Sequence, residues 1–179
     1  MNSKIYLLII TFLFFNIINT QDAINTFDGK EKDLNEKQLK GTWKVYKIKY
    51  HYPDTTYVAD KVKYGRFIFN KNKYAVMYNP MMNTRTPFNN LSKGTDEEIK
   101  KAFQSIVFNS GTYSIENETL HAIPDIAKVP GFENGHQYYK IDRTSKHIIS
   151  LTMFDETYPD EKKPEWYGKV KIEFILGKE

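Results

Sequence analysis

Leu39-Lys40-Gly41-Thr42-Trp43-Lys44-Val45-Tyr46-Lys47-Ile48-Lys49-Tyr50 is the stretch whose reading decides the fold. It opens the first strand-like run, and many short alternating segments follow it. Glycine permits a tight backbone bend where a closed sheet begins. Two residues on, a large indole can plug the narrow end of such a sheet. A barrel closed at one end and open at the other is a cup, and a cup implies a ligand. Gly41 and Trp43 are therefore structural candidates.

Working outward, the chain breaks into eight strand segments: 42–50, 64–70, 73–79, 111–115, 119–123, 136–142, 147–153 and 167–176. They are rich in aromatic and β-branched residues, as strands should be. Asn70-Lys71-Asn72, Glu116-Asn117-Glu118 and Arg143-Thr144-Ser145 supply turn residues between neighbours. The stretch 53–63 reads as a loop, and 80–93 as a longer loop that shapes or gates the mouth. Between them these segments predict an all-β fold, an eight-stranded antiparallel up-and-down barrel with one inserted α-helix between strands three and four. Closure removes exposed sheet edges, and eight strands leave room for one small ligand.

The inserted helix has the clearest start signal in the chain. Thr95 is the N-cap and Glu98, three residues on, completes a capping box. Ile99, Ala102, Phe103, Ile106 and Val107 share one face at helical spacing. That face is expected to pack on the barrel or over its mouth. A second, short helix is expected near 34–39, across one barrel end.

Composition bounds the function. The chain has no cysteine, so no disulfide supports it and the core must supply stability. The formal net charge is +4, with basic residues dispersed among Asp and Glu rather than gathered in a stripe. That excludes a nucleic-acid partner of the usual kind. Lys4, the apolar runs 5–10 and 12–15, and polar Thr20 and Gln21 form a secretory signal. The apolar run falls short of the ~20 residues a spanning helix needs. The expected organisation is a signal peptide at 1–20, a flexible lead at 21–38 and one domain at 39–179. The cleaved chain would be periplasmic or extracellular, with no stable membrane insertion. Monomer and dimer both remain open.

Phe67, Phe69, Met77, Tyr113, Tyr139, Met153 and Phe174 are the apolar candidates for the cavity. Each lies on one face of its strand by alternation. Arg85 and His121 are the polar candidates, as anchors for a ligand head group. Arg66 reads as a surface ion pair. His121 and His136, with Asp125 or Glu133, could also form a metal or acid–base site. Zinc needs three or four converging ligands, and no tight ligand spacing is present, so no metal or other cofactor is assigned. No Gly-x-Ser-x-Gly elbow or glycine-rich phosphate loop is present.

Leu39-Lys40-Gly41-Thr42-Trp43, Tyr64-Gly65-Arg66-Phe67-Ile68-Phe69, Gly94-Thr95-Asp96-Glu97-Glu98, Ser110-Gly111-Thr112-Tyr113 and Leu120-His121 together resemble the bacterial lipocalin-like domain family. The resemblance runs from Leu39 to the C-terminus. It implies an eight-stranded calyx and binding of small apolar molecules. The expected function is an exported protein holding a small apolar or amphipathic ligand in its barrel. Two other readings stand beside it: a barrel isomerase, cyclase or lyase using His121 with Tyr113 or Tyr139, and a filled-barrel interaction or inhibitor module.

Overall fold

A computed structural model describes residues 35–60, 62–80 and 85–179. The expected signal peptide, and the lead as far as residue 34, lie outside the described residues.

Helix α1 (Glu36–Leu39) is a single turn, capped by Asn35. Strand β1 (Gly41–His51) follows. The remaining strands are β2 (Thr56–Ala59), β3 (Gly65–Asn70), β4 (Lys73–Tyr78), β5 (Val107–Glu116), β6 (Thr119–Ala127), β7 (His136–Ser145), β8 (Ile148–Thr157) and β9 (Lys171–Lys178). Helix α2 (Asp96–Gln104) lies between β4 and β5. Every pairing is antiparallel. The order β1-β3-β4-β5-β6-β7-β8-β9 closes through β1 and β9 into an eight-stranded barrel. Counting staves alone, α2 falls between the third and fourth. The expected fold class is therefore correct.

The short β2 was not anticipated. It pairs with the second half of β1, from Ile48↔Ala59 to His51↔Thr56, and three of its four residues are exposed. A strand wet on both faces carries no alternation to detect.

Residues of one parity turn inward, and β-bulges change that parity where it matters. In β1, Trp43 and Val45 are buried, and a register shift between Val45 and Lys47 puts Ile48 inside next. In β8, Ile149, Leu151 and Met153 are buried, and a shift in the pairing with β7 then turns Glu156 inside. An extra residue in one strand resets which face each later side chain occupies. β5 and β6 also shift register at Ser110/Gly111. Here a Cβ on Gly111 would run into the Ile123 carbonyl, so only glycine permits the close approach.

Trp43 is 1% exposed at the α1 end. Its Nε1 donates to the Leu39 carbonyl at 2.6 Å, and Lys178 Nζ lies 5.1 Å from its ring centre while donating to the Gln38 carbonyl. The helix turn, the indole and the lysine stem together shut this end. Gly41, at φ +131°, makes the bend into β1 in a region that side chains avoid.

α2 departs from expectation. Thr95 and Glu98 do form the capping box, but the helix stops at Gln104, where the Ser105 N–H and Oγ bond back to its last turn. Val107 then begins β5. No α2 side chain is buried, and Ile99 and Phe103 remain 52% and 46% exposed. The helix touches the barrel's surroundings through Phe103, whose carbonyl accepts from Lys128 Nζ at 2.9 Å and whose ring lies beneath that ammonium.

Candidate functional site

The barrel interior is graded from apolar to polar. At the shut end and midway, Phe67, Phe69, Tyr113, Tyr139, Met153 and Phe174 are all buried. Their rings touch one another. Phe67 lies 5.1 Å from Phe174 and 6.2 Å from Phe69, and Phe69 lies 5.1 Å from Tyr113. Tyr139 meets Phe67 edge-on at 6.4 Å. The five rings thus come together as one layer, with Met153 in the same buried cluster.

Above that layer, three polar side chains turn inward: Asn109 from β5, Gln137 from β7 and Glu156 from β8. All are buried and joined by hydrogen bonds. Gln137 Nε2 donates to Glu156 Oε2 at 2.7 Å. Gln137 Oε1 therefore faces the other way, where it accepts from the Tyr139 hydroxyl at 3.2 Å and from Asn109 Nδ2 at 3.3 Å. Asn109 Oδ1 is left buried without a partner among the described residues. The Tyr74 and Tyr113 hydroxyls are in the same position. Orphaned buried groups are rare and costly, and each calls for an explanation.

Electrostatics follow burial. Glu156 is held above the usual carboxylate range, chiefly because burial disfavours its charge, with the bonds from Gln137 and Trp166 pulling the other way. Burial pushes the Tyr113 hydroxyl up to about 12, and raises Tyr139 well beyond its ordinary value.

Asn109, Gln137 and Glu156 line one side of a cavity of about 430 Å³ whose other walls are largely apolar, including Val107, Phe108, Val129, Phe132 and Tyr158. Lys128 is also on its rim. This is the open end of the cup: a polar floor within an apolar collar. Its size falls within the range of small-molecule sites.

Three of the candidate residues lie elsewhere. Met77 is on the opposite face of β4 from buried Tyr74 and Val76. Arg85 sits in the loop before α2, donating from Nε to Ser105 Oγ at 2.9 Å. Met77 and Arg85 do meet, but in a separate cavity of about 340 Å³ with Tyr64 and Ile106. His121 is on the outer face of β6, because Leu120 and Ala122 take the inward positions. Its Nε2 is 2.8 Å from His136 Nδ1, and its ring stacks on Tyr138. Burial and His136 lower its pKa. The barrel wall therefore separates His121 from Tyr113 and Tyr139, so the acid–base grouping expected of them is not assembled. Asp125 pairs with Lys73, Glu133 accepts from the Gly131 N–H, and neither joins the histidines. Arg66 forks onto Glu179 at 2.8 and 2.9 Å, partly exposed.

Sequence reasoning missed Asn109, Gln137 and Glu156. Gln137 had a signal: it shares parity with Tyr139 and Ile141, a polar residue on an apolar face. Glu156 had none, since the bulge that turns it inward leaves no mark in the sequence.

A closed antiparallel barrel, plugged by an indole and open onto a largely apolar cavity with a polar floor, defines the calyx class of protein. The chain belongs to the lipocalin-like domain family, which matches residues 40–170. Among solved structures it is similar to a lipocalin-like protein from Bacteroides uniformis ATCC 8492, at 15% identity and a TM-score of 0.40, over 79% of this chain and 99% of that one. It is also similar to an uncharacterized protein from Bacteroides eggerthii DSM 20697, at 14% identity and a TM-score of 0.40, over 78% and 98%. A redesigned beta barrel matches at 13% identity and a TM-score of 0.37, over 80% and 94%. No curated protein matches the chain.

Proposed function

We propose that this chain is an exported binding protein for a small amphipathic molecule, held at the barrel mouth. The ligand's apolar body lies against Val107, Phe108, Val129 and Phe132, and its head group reaches the Asn109–Gln137–Glu156 chain. The observation that carries this reading is the unpaired Asn109 Oδ1, linked through Gln137 to a buried carboxyl, in the wall of a largely apolar cavity. Both groups accept hydrogen bonds, so the matching head group donates them, as an ammonium or hydroxyl does. Phe67, Phe69, Tyr113, Met153 and Phe174 form the packed layer beneath, and Tyr139 ties that layer to Gln137. The N-terminal run of apolar residues after Lys4 supports export.

The test compares octylamine with octanoate by calorimetry and thermal shift. The amine should bind and raise the melting temperature, and the carboxylate should not. Glu156→Gln should weaken the amine by tenfold or more, since a charge-assisted bond is worth roughly 1.5–3 kcal/mol. Equal response to the two head groups, or an unaffected variant, would sink the proposal.

A further inference from the structure

Two imidazoles on the outer wall have no part in the mouth site. His121 and His136 come from neighbouring antiparallel strands, and their facing nitrogens, Nε2 and Nδ1, stand 2.8 Å apart. Tyr138 lies directly across from His121 in register, with its ring 4.4 Å away and within 5° of parallel. Phe154 flanks Tyr138 at 6.5 Å. Asp155, opposite Tyr138 in the β7–β8 ladder, is engaged by Lys163. Among the described residues no third histidine or carboxylate joins the pair in a metal-holding group.

We infer that His121 and His136 form a two-histidine binding site for a square-planar divalent metal, copper(II) foremost and nickel(II) second. The two imidazole donors carry the choice. Their facing nitrogens, 2.8 Å apart in the hydrogen bond they share without metal, are both within reach of one ion at metal–imidazole bonds of about 2.0 Å. Imidazole nitrogens suit these metals, and copper(II) heads the affinity order for divalent first-row ions. Without metal, the two rings share one hydrogen bond. The metal takes the place of that proton, which moves to the other nitrogen of the same ring, so two neutral imidazoles bind without net proton release. Solvent fills the remaining positions. A β-ladder and a stacked tyrosine hold the donors in place, which is how rigid scaffolds keep a ligand set ready.

The test is titration of the tag-free chain with copper(II) sulfate, followed by calorimetry and electron paramagnetic resonance. One copper per chain is expected, with coupling to two nitrogens. His121→Ala and His136→Ala should each lower affinity by at least tenfold. His51→Ala, which removes a distant histidine bonded to Glu173, should change nothing. Tyr138→Leu should weaken binding and keep the stoichiometry, the mark of a positioning residue. Both histidines are on the outer face, so an unchanged thermal midpoint verifies each variant, and His136→Gln provides a second substitution should the alanine variant melt early. Copper affinity unmoved by either histidine substitution, or zinc binding tighter than copper, would overturn the assignment.

Discussion

Replacing Trp43 tests the shut end of the barrel, and two substitutions separate its two contributions. Trp43→Phe keeps a large ring and removes the indole N–H. The Leu39 carbonyl, bonded at 2.6 Å in a buried setting, then loses that donor, at a cost of about 1–3 kcal/mol. The smaller ring forfeits about 1 kcal/mol more at ~25 cal/mol per Å². The sum is about 2–4 kcal/mol. Trp43→Ala adds a full core truncation of about 3–5 kcal/mol to the same orphaned carbonyl, reaching about 4–8 kcal/mol. A domain's whole stability is about 5–15 kcal/mol, so the alanine variant should be barely folded or unfolded. Urea melts provide the assay. Trp166 is the second of two tryptophans and serves as the fluorescence reporter in both variants. The phenylalanine variant should melt at a clearly lower urea midpoint with an unchanged slope. A loss under about 0.5 kcal/mol for Trp43→Phe, below the value of any buried hydrogen bond, would refute the account of the plug.

Further expectations concern charge, backbone and cap. Burial raises the Glu156 pKa, so the stability this group contributes is full below the unfolded value of about 4.3 and is lost as pH climbs through the folded value. Glu156→Gln removes that titration, and its melting temperature should gain on the parent as pH rises from 4 upward; a constant difference across that range would contradict the burial of the carboxyl. Amine binding should strengthen with pH over the same window, as measured by calorimetry, because the ionised carboxylate is the better acceptor. Gly111→Ala should cost about 1–3 kcal/mol or more in a urea melt, since the new methyl meets the Ile123 carbonyl and overpacking typically costs that much. Thr95→Ala removes a cap worth about 1 kcal/mol. Because α2 buries no side chain, the loss should appear in amide exchange over 96–104 and leave the global melt almost unmoved.

The architecture was legible because its signals are local. Gly41 and Trp43, the turns at 70–72 and 116–118 and the Thr95/Glu98 box each act within a few residues, and each holds in three dimensions; the third hairpin turn falls at 146–147, because β7 runs on through Arg143-Thr144-Ser145. The site was less legible, because facing is a property of the whole sheet. Tyr74-Ala75-Val76-Met77-Tyr78 is apolar on both parities, so periodicity could not tell that Met77 belongs outside. His121 stands between Leu120 and Ala122, and the pairing partners that settle its face come from β7. Glu156 lies in a charged, proline-containing stretch beyond the expected strand at 147–153, yet β8 runs on to Thr157 and a shifted register turns the carboxyl inward. Ile106 and Val107 extended the helical stripe by spacing alone, while the demands of β5 ended the helix at Gln104.

Native mass spectrometry of the chain purified from its own host, without denaturation, tests the central claim most directly. A reproducible excess mass, released by organic solvent and absent from Glu156→Gln, is the predicted result. A clean unliganded mass that no amphipathic amine or alcohol shifts, or an excess mass that Glu156→Gln retains in full, would contradict a ligand site at the mouth.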